Sequence, residues 1–60
     1  MIRVIAIEDV NLYFIKRNEE YLIDKDSLYG GFDGEWNAEV YSVDEEYIGR
    51  LYLSHFKVKE

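Results

Sequence analysis

The sequence predicts a mainly β domain of about five short antiparallel strands, arranged as a small open sheet or an SH3-like barrel. Three observations carry this reading. Apolar residues alternate in short runs rich in β-branched and aromatic side chains, the composition that suits a pleated, half-buried surface. None of the 60 residues is proline, so every residue can donate a backbone hydrogen bond to a ladder. Three of the four glycines, Gly30, Gly31 and Gly34, fall together in the middle of the chain and mark turns between the runs.

The first strand is expected over Ile2–Ile7. Ile2, Val4 and Ala6 fall on one face, with Ile5 and Ile7 on the other, which suits a strand covered on both sides. Glu8 and Asp9 should end it. Val10–Arg17 follows as the first arm of a hairpin, with Val10, Leu12 and Phe14 on one face and Asn11, Tyr13 and Ile15 on the other. A bend at Asn18-Glu19-Glu20 leads into a short strand over Tyr21–Ile23. The segment Ser27–Gly34 holds Leu28, Tyr29 and Phe32 among its glycines, and is expected to be an apolar loop packed on the body of the domain.

A long hairpin over Glu35–Val58 organises the rest. Trp36, Ala38 and Val40 alternate with Glu35, Asn37 and Glu39; the acids Asp44-Glu45-Glu46 form the bend; Leu51 and Leu53 return on the inward face. Trp36, Ala38, Val40, Leu51 and Leu53 therefore read as core. Tyr41, Tyr52 and Phe56 fall on the outward face. An α+β alternative stands beside this, with a helix at about 43–56 packed on an N-terminal antiparallel sheet. Ser42-Val43-Asp44-Glu45 has the form of a capping box, and Tyr47, Ile48, Leu51, Tyr52 and His55 recur at helical spacing. Gly49 opposes that helix, costing about 1 kcal/mol in its interior.

Sixty residues make one small domain, which buries only about 60% of the surface its unfolded chain exposes and draws roughly 3–5 kcal/mol from one core. With no cysteine there is no disulfide and no thiolate metal site, and His55 alone cannot build a zinc site. The apolar start at Ile2–Ile7 is too short for a signal sequence or a membrane span, and no Asn-x-Ser/Thr acceptor occurs. An intracellular, cytoplasmic protein is expected, in the host cytoplasm if the source is a phage.

Net charge is −6, unevenly spread. Residues 18–46 hold ten acids against Lys25 alone, a balance of −9, while residues 1–17 carry +1 and residues 47–60 carry +2. Such a middle repels phosphate backbones and anionic bilayers. A protein partner with a basic surface is the complement; direct nucleic-acid and membrane binding are not expected.

Catalytic constellations are thin. Ser54 stands beside His55, but neighbours on a strand face opposite ways. Glu19-Glu20 and Glu45-Glu46 at bends are solvated, whereas acid–base pairs need environments that separate their pKa values. Asp24, Asp26 and Glu35 have the spacing of a calcium loop, yet Tyr29 stands where that loop needs glycine. A fold of this size also leaves little room for a pocket of about 300 Å³. No enzyme activity and no cofactor or metal are expected.

What remains is acids mixed with large aromatics, the combination in which charge steers an encounter and rings supply the binding energy. The expected partner-binding residues are Asp33, Glu35, Asp44, Glu45, Glu46 and Tyr47, with Tyr29 and Phe32. The expected function is a small acidic protein-binding protein or inhibitor of phage or mobile-element type, a DNA mimic occupying the basic surface of a nucleic-acid-acting or defence protein. The alternative is a structural or assembly module that forms a homodimer or docks through its second apolar face at Tyr41, Tyr52 and Phe56.

Overall fold

A computed structural model describes residues 1–31 and 34–59; the expected binding residues Phe32 and Asp33 lie outside the described residues. The fold is mainly β, one open, curled antiparallel sheet in the form of a half-barrel. Its strands are β1 (Ile2–Ala6), β2 (Glu20–Ile23), β3 (Tyr29–Gly30), β4 (Trp36–Tyr41), β5 (Tyr47–Tyr52) and β6 (Phe56–Val58).

β1 lies between β2 and β6, with Ile2 opposite Ile23 on one side and Ala6 opposite Phe56 on the other. β4 is the second hub. β5 takes one edge of it through Asn37–Tyr52, Ala38–Leu51, Glu39–Arg50 and Val40–Gly49. The other edge must therefore be shared: β2 pairs with its end, Ile23 opposite Val40, and β3 with its start, Gly30 opposite Trp36. A 3-10 turn at Lys25–Ser27 bends the chain between β2 and β3. Asp24 caps that turn by accepting from the amide of Asp26 at 3.0 Å, which is its structural employment in place of a calcium loop. At the bend, the Ser27 hydroxyl donates to the Asp24 carbonyl at 2.6 Å and accepts from the Glu39 amide at 2.8 Å.

The core follows the inward alternation: Val4 and Ala6 from β1, Tyr21 and Ile23 from β2, Ala38 and Val40 from β4, Leu51 from β5, Phe56 from β6, with Ile15 inserted from the β1–β2 connection. β1 has one core face only, since Ile5 is half-buried and Ile7 exposed.

Four expectations need correction. Val10–Arg17 is a tight loop instead of a strand: Val10 bridges Ile15, a 3-10 turn spans Asn11–Tyr13, and Phe14 takes the left-handed conformation (φ 58°). Only Ile15 is buried there, and Leu12 and Phe14 face solvent. Trp36 is 56% exposed. It is the first residue of β4, one step outside the last inward layer of Ala38 and Leu51, so nothing closes over it; its ring instead lies along Gly30 of β3. Phe56 is buried, edge-on to Tyr21 at 6.0 Å between ring centroids. A 3-10 turn at Leu53–His55 resets the alternation counted from Tyr52, turning Phe56 inward. The 28–30 segment does not pack down, leaving Leu28 and Tyr29 exposed.

The helix alternative gives way to β5. Glu45 is left-handed (φ 66°), a conformation that ends any helix started at Ser42. Pairing with β4 then takes residues 47–52.

Candidate interaction surfaces

The acidic bend is a built turn. Its ends are joined by Ser42 N–H to the Glu46 carbonyl at 2.8 Å and Glu45 N–H to the Ser42 carbonyl at 2.9 Å. The Ser42 hydroxyl also accepts from the amides of Asp44 and Glu46, at 3.3 and 3.2 Å. One serine thus orders the backbone that carries three exposed acidic residues. A surface depression lined by Arg3, Asn18, Glu19, Glu20 and Val43 sets this turn beside residues 18–20.

The described ion pairs lie elsewhere. Glu20 takes Arg3 at 2.9 Å and Lys59 at 2.8 Å. Hydrogen bonds from Lys59 and then Arg3 hold its carboxyl below the ordinary value. Glu39 takes Arg50 at 3.2 Å, and His55 Nδ1 lies 2.8 Å from Glu8. No described ion pair uses Asp44, Glu45, Glu46 or Glu19, so this end keeps its charge.

The expected binding residues do not form one patch. Tyr29 and Glu35 sit by the start of β4, while Asp44–Glu46 follow its end. At about 3.3 Å per residue the six-residue strand holds them roughly 17–20 Å apart. Tyr47 is exposed, but its ring packs edge-on against Tyr41 at 5.4 Å. Its phenol is pushed up, first by hydrogen bonding to the Glu39 carboxylate. Of the outward trio, Tyr41 packs against Tyr47, Phe56 belongs to the core, and Tyr52 is 44% exposed.

Sequence reasoning misses a groove of about 390 Å³ and misjudges the room available for one. Val10 and Tyr13 wall one side, Leu51 contributes apolar surface from the core, and Asn37, Arg50, Tyr52 and His55 complete it. Arg50 is tethered there by Glu39 and by the side-chain oxygen of Asn37. The signal for it is Gly49: glycine inside a strand marks a close approach, and here the ring of Tyr13 comes against it.

Two of the three serines, Ser27 and Ser42, spend their hydroxyls on backbone groups. Among the described residues no three of His, Cys, Asp and Glu gather closely enough to hold a metal ion, and no helix is long and apolar enough to cross a membrane. No family model matches the chain, and no curated protein or solved structure was found to be similar to it.

Proposed function

We propose that this is a small acidic protein-binding protein of the inhibitor type, whose Asp44–Glu46 turn enters the basic, nucleic-acid-binding surface of another protein as a DNA mimic. The observation that carries the reading is the turn itself: Ser42 orders its backbone, and the three exposed carboxylates it carries enter no described ion pair. An ordered turn backbone lowers the ordering cost of meeting a cationic surface, and the field of the carboxylates speeds the encounter. Proteins that act on nucleic acids, including defence proteins aimed at phage or mobile elements, supply such surfaces.

The test is capture on the immobilised protein, followed by identification of what elutes in a salt gradient. The expected partner elutes early, is displaced by duplex DNA, and is not retained by the charge-reversed Asp44→Lys, Glu45→Lys, Glu46→Lys protein. Retention unaffected by salt and by the triple reversal would overturn the reading.

A further inference from the structure

The least expected surface of this protein is the loop between Val10 and Ile15. Leu12 is 80% and Phe14 86% exposed, in a chain whose buried core numbers only nine residues among those described. Phe14 also holds a left-handed backbone (φ 58°, ψ 28°), which is costly for a bulky side chain. The fold enforces that geometry. Val10 and Ile15 exchange backbone hydrogen bonds at 3.0 and 3.1 Å, Ile15 is buried, and the Lys16 and Arg17 amides are taken by the Tyr21 hydroxyl and the Asp9 carboxylate. The loop therefore presents a ring to solvent on a preorganised mount.

We propose that this loop is a self-association device: Phe14 of one copy seats in the groove beside Tyr13 of a second copy, and the second copy returns the contact. Knob and hole are neighbours, because Val10 and Tyr13 of the same loop wall the groove. A patch that carries its own knob beside its own hole is self-complementary about a two-fold axis, and the contact closes at two copies. The charges agree. Lys16 and Arg17 behind the tip enter no described ion pair, while the exposed Glu8 lies 2.8 Å from His55, a residue of the groove wall. Crossing the axis brings these opposite signs together.

The area sets the strength. Leu12, Phe14 and Tyr52 offer roughly 400 Å² per copy, half of the ~800 Å² per partner in a stable interface. The dimer is therefore weak and concentration-dependent. An anionic bilayer is the competing host for an apolar tip followed by two cations, but the net charge of −6 opposes it.

Sedimentation of the intact chain from micromolar to millimolar concentration tests the proposal. The average mass is expected to climb towards the dimer and to do so at high salt as well, because the apolar contact of Phe14 is not screened. Binding to a basic partner through the acidic turn is lost at high salt, so the two readings fail separately. Phe14→Asn suits the left-handed backbone, so it is expected to keep or raise the melting temperature while weakening dimerisation about tenfold or more. Three results would overturn the proposal: a monomer at every concentration, a Phe14→Asn protein that dimerises as well as the parent, or a monomer whose Phe14 instead drives binding to vesicles of phosphatidylcholine and phosphatidylserine.

Discussion

The ring of Tyr13 lies so close to Gly49 that a β-carbon added at Gly49 would sit 2.6 Å from its Cε1 atom. This contact joins the β1–β2 connection to β5 beside the groove that Tyr13 helps to wall. Gly49→Ala is expected to displace the Tyr13 ring and cost about 1–3 kcal/mol, the usual penalty for overpacking. Urea denaturation measures the loss, and the Tyr13 ring resonances should shift with it. An unchanged midpoint with unmoved Tyr13 resonances would show that the contact is not tight.

Phe56 and Trp36 exchange the importance that their positions in the sequence suggest. Phe56→Ala removes a buried ring from Tyr21 and is expected to cost about 3–5 kcal/mol, comparable with the whole stability of a domain this small. Trp36→Ala, at a half-exposed ring resting on Gly30, is expected to cost distinctly less. Thermal melts of the two variants decide the order, with Phe56→Leu as a milder core change should the alanine variant not fold.

Glu20 gives stability an acid limb. Its folded-state pKa is lowered by Lys59 and Arg3, so its contribution is fully present above its ordinary value of 4.5 and is lost as pH falls through the lower folded-state value. Glu20→Gln is expected to flatten the decline in melting temperature in that window while leaving the profile near neutrality parallel to the parent. Because the pair is exposed, salt should reduce the difference. An acid limb identical in the two proteins would assign the decline to other carboxylates.

Strand alternation made most of the sheet legible in the sequence. Val4, Ala6, Ala38, Val40 and Leu51 occupy the core that period-two patterning gives them. The misreadings have local causes. At Val10–Arg17 the apolar content suits a strand, but no neighbouring strand takes the whole segment; the chain closes on itself through Val10 and Ile15. At Leu53–His55 three residues of 3-10 turn shift the phase by a step that alternation cannot register. Trp36 shows that inward parity buries a side chain only where a second layer reaches it. The charge of the Asp44–Glu46 turn was visible at once. The groove was not, because Val10 and Tyr13 meet Leu51 and Tyr52 only when the sheet curls.

That curl turns on Ser27. Where β2 and β3 part company along the edge of β4, the Glu39 amide has no strand opposite it, and the hydroxyl of Ser27 takes the place of the missing carbonyl. The corner is held by this side-chain contact and by one main-chain bond, the Asp24 amide donating to the Glu39 carbonyl at 3.1 Å, whereas the ladders on either side are held by main chain throughout. Loss of the Ser27 hydroxyl would therefore strip the Glu39 amide of its acceptor at the corner while leaving every strand pairing its own main-chain hydrogen bonds.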